Sequence, residues 1–224
     1  MYLVTMPWYL QALYPSLTWK KKGGDKTLYL TFDDGPHETA TPYVLDQLRK
    51  YNAAATFFCI GKNVVAHRAI YDRVVAEGHA VGNHTYNHVN GWKTVAADYV
   101  TDIAQAQQEI GTSLFRPPYG RITRKQIRLL QGAAMSGQLP AVSYELSAVR
   151  GKELPSDIIM WHVLSGDFDL QLSKEQCAAN VIDHAVDGSI VVFHDSTKAW
   201  ERMSYALPKV LEHFSKQGYT FKAL

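Results

Sequence analysis

Short apolar runs alternate with amphipathic segments along most of this 224-residue chain. Short apolar runs bounded by turn residues are typical of buried strands, and longer segments with apolar residues every three or four positions are typical of helices. Strands are predicted near residues 27–33, 54–60, 79–83, 113–116, 139–144, 157–163, 189–194 and 219–222. Helices are predicted near residues 40–51, 64–77, 94–110, 123–132, 173–186 and 203–217. This alternation favours a parallel α/β architecture.

Polar residues follow several of the predicted strands at the point where each strand ends. In an α/β barrel the carboxyl ends of the strands meet at one rim, which carries the functional residues. The sequence therefore predicts a barrel with a single functional rim. Residues 131–156 form a longer connection than such a barrel needs, and the end of this connection is polar and rich in turn residues. We expect it to form a flap or to cover the side of the barrel.

Two adjacent carboxylates, Asp33 and Asp34, stand at the end of the first predicted strand, where Gly35 and Pro36 stop it. Neighbouring residues of a strand point to opposite faces, so both carboxylates can serve one site only if the chain turns there. The Gly-Pro pair provides that turn. Taken alone, these four residues are also typical of an ordinary surface turn. The polar residues later in the chain favour the site.

Two histidines, His84 and His88, follow the predicted strand at residues 79–83. At a spacing of four they would lie on one face of a helical turn, close enough to bind one metal ion. Two imidazoles and one carboxylate are a common catalytic metal set, because three protein ligands leave a position open for water or substrate. Their mixed nitrogen and oxygen donors suit Zn, Co, Mn or Fe.

Three further polar groups come at or near the ends of later predicted strands. They are Arg116, Asp167 and His194. Each one alone has the simpler interpretation of a solvated loop residue. Their arrival at the same predicted rim as the carboxylates and the histidine pair favours a shared site.

Composition agrees with one domain over residues 1–224. A hydrophobic content of 46% is enough to build a full core in a chain of this length, and the net charge of +2 is too mild to indicate nucleic acid binding. Cys59 and Cys177 indicate no disulfide framework. The N-terminus has no basic region, and no apolar stretch reaches the ~20 residues of a membrane span. The sequence therefore predicts a cytoplasmic protein with no membrane span.

Together these motifs resemble the NodB-type polysaccharide deacetylase family, carbohydrate esterase family 4. The resemblance covers about residues 27–222 and includes all five family motifs in order. It implies a distorted (β/α)7 barrel, the NodB homology domain. It also implies a hydrolase that removes acetyl groups from N-acetylated sugars, with a carbohydrate as its partner.

The first two family motifs assign roles to the acids and histidines. The resemblance implies that Asp33 is the catalytic base and that Asp34, His84 and His88 bind one divalent metal ion. Zinc is the first choice for this ion, with Co, Mn, Ni or Fe as alternatives. The metal would lower the pKa of a bound water and polarise the substrate carbonyl. Arg116, in the third motif, is implied to orient the base.

The third, fourth and fifth motifs supply the remaining groups. Pro118 and Tyr119 belong to the third motif, in which the backbone N–H of the aromatic residue helps to bind the oxyanion. His194 is implied to be the catalytic acid, and Asp167 the carboxylate that raises its pKa. Aromatic residues near the rim, Trp92 and Trp200, could stack on sugar rings, although packing is the default role of each.

The fourth motif, usually D-x-x-D-W, is altered in this chain. Its first acid is replaced by Leu164, its second is retained as Asp167, and its tryptophan is replaced by Phe168. We expect catalysis to survive, since the retained acid is the one implied to tune His194. Phe168 and Val192 correspond to positions that line the acetyl pocket in the family, so the substrate preference is open.

Several functions remain compatible with this inventory of groups. The same mechanism would serve a deformylase or deacetylase of a lipid-linked amino sugar, or an O-acetyl esterase. A catalytically inactive sugar-binding module is a different class, disfavoured because it would need neither Asp33 nor His194. A non-haem iron oxygenase also uses two histidines and one carboxylate, but it usually has an antiparallel β-fold.

Overall fold

The computed structural model describes residues 3–136 and 153–224. Within these residues, strands β1 to β8 are Thr27–Asp33, Thr56–Cys59, Ala80–Asn83, Leu114–Phe115, Asp157–Ile158, Val163–Leu164, Ile190–His194 and Thr220–Phe221. Helices α1 to α8 are Trp8–Leu13, Ala40–Lys50, Gly61–Ala66, Arg68–Ala76, Ala96–Ile110, Arg124–Ser136, Lys174–Ile182 and Trp200–Lys216. A short 3₁₀ helix covers Pro118–Gly120.

The strands form one parallel sheet in the order β5-β4-β3-β2-β1-β7-β6, with β8 paired to the start of β1. β5 and β6 lie at opposite ends of this order, yet only residues 159–162 separate them in the chain. Six strand spacings of ~4.8 Å would set the edges of a flat sheet ~29 Å apart. The connecting segment can span at most ~18 Å. The sheet therefore curls into a half-barrel, which confirms the predicted α/β fold with a distorted (β/α)7 barrel.

The register of the sheet brings the predicted site to one edge. Asp33, the last residue of β1, lies opposite His194 on β7. Asn83, which precedes His84, lies opposite Phe115, which precedes Arg116. Because all of these strands are parallel, their carboxyl ends share one rim.

Strand β1 is anchored through alternate side chains. Leu28, Leu30 and Phe32 are fully buried in a core cluster that includes residues of α2 and α8. Thr31 and Asp33 point to the opposite face, into the half-barrel. Burying three large apolar side chains stabilises the strand by about 1.5–3 kcal/mol each. This packing fixes the strand that carries Asp33, and so holds Asp33 in place.

Some helix boundaries differ from the prediction. The helix predicted at residues 64–77 is two helices, α3 and α4, because His67 between them is not helical (φ −127°, ψ 45°). The N-terminal α1 was not predicted. None of the helices in residues 3–136 and 153–224 is long and apolar enough to cross a membrane.

The strand predicted at residues 157–163 is two short strands. The segment changes partners midway, since the backbone N–H of Ile159 bonds to Phe115 on β4 and that of His162 bonds to Ile190 on β7. The strand predicted at residues 139–144, and most of the predicted flap at 131–156, lie outside the described residues.

Candidate active site

Asp33 and Arg116 form a buried ion pair inside the half-barrel. Nη1 of Arg116 donates to Oδ1 of Asp33 (2.7 Å) and to the Thr31 hydroxyl (2.6 Å). Nη2 donates to the Met160 carbonyl, and the guanidinium lies 4.1 Å from the ring centroid of Phe58. Arg116 is fully buried. Its planar donors are thus fixed on several sides, and they hold the Asp33 carboxylate in one orientation.

Asp34 turns its side chain into the same cavity as Asp33. Its backbone is in the left-handed region (φ 80°), so the chain already leaves the strand at this residue, one position before the predicted Gly35-Pro36 turn. Left-handed backbone costs a non-glycine residue about 1–2 kcal/mol. The two adjacent carboxylates are therefore brought to one site, as the sequence required.

His84 and His88 also meet, but not on a helical turn as predicted. Residues 84–88 form a loop in which Thr85 (φ 64°) and His88 (φ 58°) have left-handed backbone. The two imidazole centroids are 5.1 Å apart. The predicted helical conformation was wrong because a spacing of four limits distance without fixing backbone conformation.

Asp34, His84 and His88 offer one ligand atom each within 4.8 Å of one another. Oδ1 of Asp34 is buried without a hydrogen-bond partner, and it lies 3.7 Å and 3.1 Å from Nε2 of His84 and His88. Nδ1 of His84 lies 2.7 Å from the carbonyl of Arg116, which can only accept, so this nitrogen carries the proton and Nε2 keeps its lone pair. Burial lowers the pKa of His84 to about 4 despite the nearby carboxylates. The donor set fits a divalent metal.

His194 ends β7 and is held by Asp167. Oδ2 of Asp167 accepts from the backbone N–H of His194, and Oδ1 lies 2.7 Å from Nδ1. Burial lowers the pKa of His194, but the charge and hydrogen bond of Asp167, with smaller contributions from Asp34 and Asp33, raise it to about 10. The imidazole is therefore protonated at neutral pH, as a proton donor must be.

Asp167→Asn is expected to move the alkaline limb of kcat/KM to lower pH. The raised pKa of His194 keeps it protonated below that pKa, and removal of the neighbouring charge lowers the pKa, so the proton is lost earlier as pH rises. Asp169→Asn, two residues along, removes a carboxylate that accepts from the Gln171 backbone N–H instead, and should leave the limb in place. An unmoved limb in Asp167→Asn would show that another group tunes the acid.

Most of these groups line a cavity of about 450 Å³, whereas Arg116 and Asp167 are fully buried behind it and bond to the lining residues Asp33 and His194. The predicted residues that line it are Asp33, Asp34, His84, His88, Tyr119, Phe168, Val192 and His194. The backbone N–H of Tyr119 donates no hydrogen bond to any described residue, which leaves it free for an oxyanion. Pro118 is buried in the turn before it.

The aromatic residues near the rim differ in their position relative to the cavity. Trp92 lies outside the cavity lining, 65% exposed, with the Arg121 guanidinium 5.1 Å from its ring. Trp200 packs edge-on against Tyr43 with centroids 5.2 Å apart, so it has a packing role. The ring of Tyr119 lies 4.6 Å from that of His88 and is mostly exposed at the mouth.

Sequence reasoning missed several lining residues, among them Trp161, Arg121 and Lys198. Trp161 lies in the segment between β5 and β6, which was predicted as an ordinary strand. Gly120 (φ 65°) permits its close approach, because a Cβ there would lie 2.4 Å from the Trp161 ring. Leu164, at the position of the lost acid, is part of the cavity wall. No local pattern signals these contacts.

Comparisons with known proteins identify the family of this chain. Residues 20–136 match the polysaccharide deacetylase family. The chain is 32% identical over 210 residues to a peptidoglycan-N-acetylglucosamine deacetylase of Bacillus cereus, covering 92% of this chain and 89% of that protein. It is 31% identical over 202 residues to the peptidoglycan-N-acetylmuramic acid deacetylase PdaA of Bacillus subtilis, covering 89% and 70%.

The fold is also that of a solved relative. The crystal structure of the Bc1960 peptidoglycan N-acetylglucosamine deacetylase superposes with a TM-score of 0.78, at 27% identity, over 97% of this chain and 94% of that one. The sequence match, the shared fold and the convergence of the five motifs agree: this chain belongs to the polysaccharide deacetylase family, the NodB-type enzymes of carbohydrate esterase family 4.

Proposed function

We propose that this protein is a metal-dependent hydrolase that removes N-acetyl groups from a glycan. The observation that carries the proposal is the convergence of three units at one cavity, each with at least one residue in the cavity lining. They are the Asp33–Arg116 pair, the Asp34–His84–His88 ligand set and the His194–Asp167 pair. A base, an open metal set and a protonated acid are what hydrolysis of an unactivated amide requires.

The metal set defines the first part of the mechanism. Asp34, His84 and His88 would hold one divalent ion, which when bound lowers the pKa of a water and polarises the acetyl carbonyl. Zinc is the first choice for two imidazoles and one carboxylate, and Co, Mn, Ni or Fe suit the same donors.

The protein's own groups then move the protons. Asp33, oriented by Arg116, would accept a proton from the attacking water. The free N–H of Tyr119 would donate to the developing oxyanion. His194 would give its proton to the departing amine, so that the C–N bond breaks to a neutral amino group. The acetate and the deacetylated sugar are the products.

The cavity wall favours a small acyl group. Leu164 and Val192 are almost fully buried, and the Phe168 ring lies edge-on to His194 with centroids 5.3 Å apart. Apolar side chains at this point suit the methyl of an acetyl group next to the acid. The relatives named above act on N-acetylglucosamine or N-acetylmuramic acid of peptidoglycan, and we propose peptidoglycan as the first glycan to test here.

The test is release of acetate from N-acetylated chitooligosaccharides and from peptidoglycan. We expect release from at least one of them, loss of that release after treatment with a chelator, and its return on addition of Zn²⁺. Release of formate from a formylated amino sugar, or of acetate from an O-acetylated glycan alone, would show that the proposed substrate is wrong. The proposed mechanism would still apply to the new substrate. Binding without release of any acyl group would indicate a sugar-binding module, and undiminished release after metal removal would refute metal dependence.

A further inference from the structure

Two separate loops carry the metal ligands, and a short segment between them contacts both. Asp34 lies in the loop after β1, while His84 and His88 lie in the loop after β3. The segment, residues 60–63, consists of Ile60 and the first three residues of α3, and it lies between these loops because β2, which precedes it, is between β1 and β3 in the sheet. We call it the bridging segment.

Each of the four residues of the bridging segment donates a hydrogen bond to one of the two ligand loops. On the Asp34 side, the backbone N–H of Ile60 donates to the Gly35 carbonyl (2.9 Å). The side-chain amide of Asn63 donates to the carbonyl of Asp34 itself (2.7 Å). These two bonds fix the Asp34–Gly35 and Gly35–Pro36 peptide groups.

On the histidine side, the two middle residues supply the bonds. The backbone N–H of Gly61 donates to the Thr85 carbonyl (2.9 Å), and that of Lys62 donates to the Tyr86 carbonyl (3.2 Å). Both acceptors lie between His84 and His88. A Cβ at Gly61 would come within 2.5 Å of the Tyr86 ring and 3.0 Å of the Ala106 Cα, so glycine is required for this approach.

The bonds hold backbone that is otherwise unfavourable. Asp34, Thr85 and His88 are non-glycine residues with φ of 80°, 64° and 58°. Left-handed backbone is sparsely populated by such residues and persists only where the surroundings hold it. The bridging segment is therefore one support of the geometry that brings the three ligand atoms together, and on the histidine side Asp102 is another, since it accepts from the backbone N–H groups of Tyr86 and Asn87.

We infer that Asn63 is a positioning residue for the metal site, in addition to the residues that bind the metal. Asn63 contributes the one side-chain bond of the four, so it can be removed without changing the backbone of the segment. The carbonyl it holds belongs to a metal ligand whose own conformation is strained. The inference rests on the proposed metal site, and metal binding tests it without reference to hydrolysis.

Asn63→Ala is expected to weaken divalent metal binding by roughly 10–100-fold, the usual effect of losing a group that orients a ligand. The measurement is the Kd for Zn²⁺ by competition with a chromogenic chelator, together with the visible spectrum of the Co²⁺-loaded protein, which reports ligand geometry. Asn63 is only partly buried, so the metal-free protein should unfold at nearly the wild-type temperature.

Asn180→Ala is the matched control. Its side-chain amide also donates to a backbone carbonyl, that of Ser165 (2.9 Å), but it lies on α7 and touches neither ligand loop. We expect wild-type metal affinity and an unchanged Co²⁺ spectrum in this variant. Gly61→Ala tests the histidine side of the bridging segment and should also weaken metal binding, so the inference does not depend on one variant.

Each outcome decides between the inference and the proposed function. Wild-type Kd and Co²⁺ spectrum in Asn63→Ala would overturn the positioning role while leaving the metal site intact. Equal weakening in Asn63→Ala and Asn180→Ala would also overturn it, because a general loss of stability would then explain both. A wild-type protein that binds no divalent metal would overturn the proposed function, and with it the site that Asn63 is inferred to serve.

Discussion

His84→Ala and His88→Ala should each lose most of the bound divalent metal and, with it, nearly all acetate release. Each change removes one of three protein ligands and leaves a two-ligand set, which holds a divalent ion poorly. Metal content of the purified variants, measured by elemental analysis, is the direct readout, and activity follows from it.

His79→Ala is the matched control for the buried ligand. His79 and His84 flank β3 at its two ends, and both are buried. Nδ1 of His79 accepts from the Ala55 backbone N–H at the end of the strand away from the cavity. This variant should lose some stability and keep its metal. Full metal content in both His84→Ala and His88→Ala would refute the ligand assignment.

The parts of the site that sequence reasoning predicted are those set by strand order. Asp33, Arg116 and His194 each follow an apolar run, and in a parallel sheet the carboxyl ends of such runs must share a rim. The specific pairing of Asp33 with Arg116 and of His194 with Asp167 was implied by the family resemblance, and the structure contains both contacts. The alternation of strands and helices also predicted the parallel α/β architecture, while the distorted (β/α)7 form was implied by the family resemblance.

The parts that could not be predicted depend on backbone conformation and on long-range approach. The spacing of His84 and His88 is met by a loop with left-handed residues rather than by a helical turn, and residue types alone do not distinguish the two. Trp161 reaches the cavity because residues 159–162 cross between the sheet edges. Asn63 reaches Asp34 across 29 positions of sequence. Local patterns carry no information on such contacts.

The altered fourth motif retains the acid that contacts His194 and has an apolar side chain in place of the other acid. Among the described residues, Asp167 is the carboxylate that bonds to His194, and it does so through both oxygens. Leu164 occupies the position of the lost acid and forms part of the cavity wall. The retained acid therefore makes the largest of the contributions that raise the pKa of His194, and the lost acid is expected to affect substrate fit instead.

Asp33→Asn should bind metal as the wild type does, yet lose activity by roughly 10²–10⁴-fold, as expected for the loss of a general base. Asn keeps the shape of Asp and the oxygen that accepts from Arg116, and it leaves Asp34, His84 and His88 in place. It cannot take a proton from water at neutral pH. The measurements are kcat for acetate release and metal content of the same preparation.

Stability must be followed in this variant, because Arg116 is fully buried and would lose its charged partner. Removing one member of a buried ion pair costs about 3–5 kcal/mol, and the retained hydrogen bond to Asn should reduce that cost. The activity of the variant should therefore be measured well below its unfolding temperature.

Thr31→Val is the control, since it removes the neighbouring hydroxyl that also accepts from Arg116 while sparing the carboxylate. It should lose stability and retain most activity. Near-normal turnover in folded, metal-loaded Asp33→Asn would mean that another group takes the proton.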